Sequence, residues 1–310
     1  MTHPSATPLL AFEHARWLVG GAGELPELHA EVSARRLALL GDWSGLFRLL
    51  SGAAKLGSGT VQVLGAPAQL AVTRNVVGLS LLDLPLPASW TLEAYLQRSA
   101  ALLGKRSRAS KLLARETLRR FGLEALAGRR LATLREPERR VFSLVHATLA
   151  DPPVLCCEAP LARLDAPAVT YVGQILEQAI AGRAAIVSIT STDPAAGERW
   201  LLDRSDAVLT LARGHIVDNT SPAELLARGA RVLATVTRHV QAFRSALTER
   251  GLTHSDLGRV DALHNALPVA AEIETARFLV TLRAPGDTAP LVQAALQADA
   301  PLVELVPIEG

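Results

Sequence analysis

Lysine is almost missing from this 310-residue chain: Lys55, Lys105 and Lys111 are the only three among 32 cationic side chains. Any chemistry that needs a lysine must use one of these. Cysteine is equally scarce, and Cys156 and Cys157 are adjacent. Neighbours of that kind do not form an ordinary structural disulfide, and with eight scattered histidines they make no metal-ligand spacing, so they read as small core residues in a reducing compartment. Aromatics are 4% of the chain and net charge is only +2. With the arginines spread over helices and not interleaved with aromatics, a nucleic-acid partner is not expected. No apolar run reaches the roughly 18 or more residues of a membrane span, and the opening MTHPSATPLL lacks a basic stretch followed by an apolar one. The expected location is cytoplasmic, with no direct membrane span.

What is present is a core. Hydrophobic residues make up 49% of a chain long enough for one large domain and a smaller one. Leu37 to Leu40, Val154 to Cys157, Ala184 to Ile189 and Ala207 to Leu211 are short apolar runs of the kind found in strands buried on both faces. They alternate with helical stretches such as Ala168 to Ala181, which predicts an α/β fold with a mostly parallel sheet. Residues from about Thr91 to Ala150 read instead as successive helices. Beyond residue 228 the pattern changes: strands over Arg231 to Thr237, Thr275 to Arg283 and Leu302 to Val306 enclose helices over His239 to Arg250 and Thr288 to Ala298. That order predicts a small α+β unit, a split βαβ sandwich.

Between the strand at Leu37 to Leu40 and the helix opening near Leu46 lies a glycine-bounded turn, Gly41-Asp42-Trp43-Ser44-Gly45. Strand, glycine turn and helix are the frame of a phosphate-binding loop, in which backbone N–H groups cradle phosphates, a lysine reaches the outer two and a Ser or Thr holds Mg²⁺. No lysine stands here. Lys105 does follow Gly104, but in an arginine-rich helical stretch without the upstream glycine the motif needs.

Over residues 8 to 228 the order of segments resembles the ATP-binding subunit, or nucleotide-binding domain, of an ATP-binding-cassette (ABC) transporter. The strongest match is Ala150 to Asp165, in which an apolar strand, Glu158-Ala159-Pro160 and Leu164-Asp165 stand where the family has its Walker B strand and D-loop. Gly59 to Gly65, Thr91-Leu92-Glu93 and Asp203 through Val217 match in order and spacing. The resemblance implies a P-loop NTPase-like fold over 1–228 with a helical subdomain at about 88–150. It makes 229–310 an accessory domain, loosely similar to the extension of some exporter ATPase subunits.

It also assigns positions to the nucleotide chemistry, and nearly all depart from the family pattern. The phosphate loop is about four residues short, and Trp43 falls at the lysine position, where an indole offers stacking without charge; Ser44 and Gly45 remain as donors. Leu82 stands for the Q-loop Gln. The signature segment becomes Leu134-Arg135-Glu136-Pro137-Glu138, in which Pro137 has no N–H and the acids oppose an anion, so it also reads as a proline-marked helix start. Glu158 takes the place of the Asp that meets Mg²⁺, or else is a solvated or arginine-paired carboxylate. Ala159 replaces the Glu that polarises water and has no proton acceptor; Asp165 keeps the D-loop Asp; Ser191 replaces the switch His.

These departures imply a degenerate, non-catalytic homologue with no cofactor, a pseudo-ATPase acting as a structural or regulatory component of a transport or envelope complex. Its expected partners are an intact ABC ATPase subunit, a membrane permease, or a second copy of itself, which would hold it at the inner face of the membrane. Two alternatives stand beside this: an atypical ATPase or nucleotide sensor that still holds Mg-ATP, and a soluble interaction protein working through residues 229–310.

Overall fold

The computed structural model describes residues 7–17, 27–193, 197–227, 230–259, 275–284 and 286–308. First come β1 (Leu10–Trp17), β2 (Leu28–Val32), β3 (Arg36–Gly41), α1 (Ser44–Leu50), β4 (Leu56–Val63) and β5 (Ala66–Pro67). A short α2 (Ala68–Ala71) leads to β6 (Val77–Ser80), after which α3 (Leu92–Leu102), α4 (Ser107–Arg120) and α5 (Glu136–Ala147) follow one another. Strand and helix then alternate through β7 (Val154–Cys157), α6 (Ala166–Ile180), β8 (Ala184–Ile189), α7 (Arg199–Leu202), β9 (Ala207–Ala212), β10 (His215–Thr220) and α8 (Pro222–Ala227). The last elements are β11 (Arg231–Thr237), α9 (Val240–Glu249), β12 (His254–Arg259), β13 (Thr275–Thr281), α10 (Ala289–Gln297) and β14 (Leu302–Ile308).

The four apolar runs are the inner strands of a six-stranded sheet, ordered β10-β9-β3-β8-β7-β6 and parallel except at the β9–β10 hairpin. Because side chains alternate across a strand, β3 feeds two cores. Ala38 and Leu40 join the helices α3 to α6, while Leu37 and Leu39 face α1 and a second sheet. Cys157 and Cys156 divide in the same way, each fully buried and free of any disulfide. Burial pushes the Cys157 thiol up to about 12, the state of a small core residue.

The second sheet, antiparallel in the order β2-β1-β4-β5, lies over α1 and contributes Phe12, Trp17 and Val61 to its core. The sequence reading did not find it. A third, antiparallel sheet is ordered β12-β13-β11-β14, which inserts β13 between β11 and β12 and so completes the expected split βαβ pattern. Helices α9 and α10 cover one of its faces: Phe243, Leu247 and Leu291 pack on Phe278, Val232, Ala234 and Val236. The other face meets β9 through Leu233, Leu279 and Ile308 around Ala212. Across the interface with β10, Arg231 makes a bidentate pair with Asp218 at 2.8 and 2.5 Å, with side chains 4% and 0% exposed.

Candidate functional site

The turn after β3 is much tighter than a phosphate loop. Only Asp42 and Trp43 separate Gly41, the last residue of β3, from Ser44, the first of α1. Gly41 has φ +102°, and a Cβ there would overlap the Leu211 carbonyl, so glycine is required. The Asp42 carboxylate accepts the Ser44 N–H at 3.1 Å, which places a negative charge at the start of α1. Trp43 does not offer its ring for stacking, as the sequence reading expected. Its side chain is 1% exposed, its indole N–H donates to the Leu40 carbonyl at 3.0 Å, and its ring packs on Phe12. The reason is packing: a large apolar ring just past a buried strand falls into the core beneath α1. Trp17, at the end of β1, closes the other side, and a Cβ at Gly45 would overlap its indole.

Directly after β7 stands Glu158. Its carboxylate is half-buried, makes no ion pair with any described residue and accepts the Leu82 N–H at 3.1 Å. Burial pushes its pKa up; the Asp83 and Asp42 charges add to this, while the Leu82 N–H and Arg140 oppose it. The carbonyl of Leu82 accepts from Arg140 Nη1 at 3.1 Å, and Arg140 pairs with Glu136 at 2.8 Å. Leu82 is therefore held on one side by Glu158 and on the other by α5.

The remaining assigned positions have structural partners. The Ala159 N–H donates to the Ser188 hydroxyl at 2.9 Å. Asp165 caps α6 by accepting the Ala168 N–H at 2.9 Å. The Ser191 hydroxyl accepts the Asp193 N–H, and the Ser191 and Thr190 N–H groups share the carboxylate of buried Glu198. Leu134 is buried, and Pro137 stands in the first turn of α5, the proline-marked helix start. Glu138 reaches back to the Arg135 N–H at 2.8 Å and pairs with Arg129 at 2.7 Å. Burial works to raise the Glu138 carboxyl, but the Arg135 N–H and Arg129 together hold it below its ordinary value.

Sequence reasoning missed Trp17, Arg140 and Glu198, which it gave no role because each acts on a group in another element or across a loop. It also missed a cleft of about 540 Å³ in which Gly41, Asp42, Ser44 and Gly45 face Arg277 of β13 and Ile308 of β14. Arg277 Nη1 donates to the Arg213 carbonyl at 2.9 Å on the wall of this cleft. Among the described residues no group of three or more His, Cys, Asp or Glu is placed to hold a metal.

This arrangement of a parallel sheet with a helical layer on one face, an antiparallel sheet on the other and a turn-to-helix junction at the centre matches the fold of a solved component of an ABC transporter complex. The chain superimposes on cbiO1 from Clostridium perfringens, described as part of the ABC transporter complex cbiONQ, with a TM-score of 0.57 over 71% of this chain and 91% of that one, at 19% identity. In sequence it is 27% identical over 246 residues to the phosphonates import ATP-binding protein PhnC of Anaeromyxobacter dehalogenans (strain 2CP-C). The match takes in 73% of this chain and 48% of that protein, so the chain spans about half the length of this curated relative. No protein-family model matches the chain. Among the described residues no helix is long and apolar enough to cross a membrane.

Proposed function

We propose that the chain is a non-catalytic relative of ABC transporter ATP-binding subunits that serves as a structural or regulatory component of a membrane transport complex. The observation that carries this reading is the Asp42 carboxylate on the Ser44 N–H, in a turn walled by Trp17 and Trp43. A nucleotide phosphate needs those N–H groups free and a cation nearby. Here the Asp42 carboxylate takes the Ser44 N–H at the helix start and no lysine stands in the turn; Arg213 and Arg277 line the cleft, with Arg277 bonded to the Arg213 carbonyl, so the turn itself lacks the donor set of a Mg-ATP site. Ala159 adds to the argument, since a methyl group cannot accept a proton from attacking water. The clamped Leu82 supports a scaffold held in one arrangement. Under this reading an intact ATPase subunit, a permease or a second copy is the partner, and residues 229–310 are an accessory domain.

Titration calorimetry with Mg-ATP, extended to millimolar ligand and repeated without Mg²⁺, tests the proposal. No specific heat is expected. The cleft beside the turn favours a second reading, a nucleotide sensor, and magnesium-dependent binding at one site per chain would put that reading first. Affinity purification from native membranes is expected to recover a permease or an ATPase subunit; recovery of neither would remove the transport assignment.

A further inference from the structure

Helix α4 concentrates charge. Residues 105–120 hold seven Lys or Arg and a single acid, Glu116, a net of +6, so the rest of a +2 chain carries −4. At about 100° per residue, Arg108, Lys111, Arg115 and Arg119 share one arc of α4, opposite the buried Ser110, Ala114 and Thr117. The stripe is about 16 Å long at about 1.5 Å per residue. All four side chains are exposed. Arg115 pairs with Glu93 at 2.7 Å, whereas Arg108, Lys111 and Arg119 make no ion pair with any described residue.

Two apolar side chains stand in the same region. Leu112 lies at the edge of the stripe and is 57% exposed, in a groove it shares with Arg115, Arg119 and the acids Glu93, Glu116 and Glu124, and Leu102, at the end of α3 beside the connecting turn, is 90% exposed. At the start of the helix the charge placement is unfavourable, since Arg106 and Arg108 sit at its positive end and its first turn holds no acid, whereas Arg119 and Arg120 in the last turn favour it. Cations so placed, with leucines among them, suit an interface rather than the stability of the helix pair.

We propose that this face of α4 docks directly on an anionic membrane surface, its cations among the headgroups and Leu102 and Leu112 entering the acyl boundary. Charge complementarity selects the partner, since a polybasic face is drawn to anionic lipid, and the leucines supply the apolar component that surface binding uses. A nucleic acid would use the cations but not the leucines, and α4 offers no aromatic, Asn or Gln for base contacts. This contact is independent of the nucleotide reading and of any permease.

Flotation of the full chain with phosphatidylcholine vesicles, with and without phosphatidylglycerol and at low and high salt, tests it. Binding is expected only with phosphatidylglycerol and is expected to fall with salt. A triple variant, Arg108→Ser, Lys111→Ser and Arg119→Ser, is expected to bind at least about tenfold more weakly. Leu102→Ser with Leu112→Ser is expected to weaken binding with all charges intact. These side chains are exposed, and circular dichroism checks that each variant is folded. Absence of lipid binding, full binding by either variant, or preference for duplex DNA or RNA over the anionic vesicles would overturn the proposal.

Discussion

Asp42 and Trp43 show how two side chains redirect a familiar junction. The carboxylate meets the helix start from within the chain, and the indole fills the space beneath it. Trp43→Ala is expected to cost roughly 3–5 kcal/mol, the range for deleting a large buried aromatic, measured by urea denaturation. Trp43→Lys restores the residue type of a phosphate loop but is expected to be at least as destabilising, because it buries an ammonium, and to gain no ATP affinity by calorimetry. Acquisition of tight Mg-ATP binding by Trp43→Lys would contradict the account of the turn. The absence of lysine was legible from the sequence; the fate of Trp43 was not, because its burial depends on Phe12 from another sheet.

Among the elements, α5 carries a titratable group remote from the turn. His146 is enclosed against Tyr95 and Ser99, and burial lowers its pKa to about 4. The unfolded chain takes up a proton below about 6.5, whereas the folded ring resists it until about 4. This contribution to stability is therefore complete above about pH 6.5 and is lost as pH falls towards 4, by at most roughly 3 kcal/mol. His215, lowered to about 4 by burial and then by the Arg277 charge, acts in the same direction. Denaturation across this interval is expected to show the slope, and His146→Gln is expected to reduce it. Inner strands such as β7 and β8 were readable to the residue because both faces are buried. The second sheet was not: β1 is bulged near His14, and β4 begins with an exposed, glycine-bearing stretch.

For the molecule as one body, the decisive contact is the Arg231–Asp218 pair between β11 and β10. Arg231→Ala removes the bidentate partner of a buried carboxylate and is expected to cost up to about 3–5 kcal/mol in thermal or urea unfolding; Arg231→Met with Asp218→Leu should recover much of it. Deleting residues 230–310 uncovers Ala212 and Val217, which the third sheet packs against, so the remaining chain is expected to bind a hydrophobic dye and unfold earlier. An unchanged melting curve would show that the two parts are energetically independent.

Periodicity and composition are local quantities, and they were enough for the parallel α/β core, the run of helices between β6 and β7, three of the four strands of the last sheet and the missing lysine, but not for β12. Packing settled the rest: that Asp42 meets the start of α1, that Leu82 is held between Glu158 and Arg140, and that the cations of α4 line its exposed face. Those outcomes depend on which surfaces meet and which face of a helix is left in water, and neither is fixed until the chain has packed.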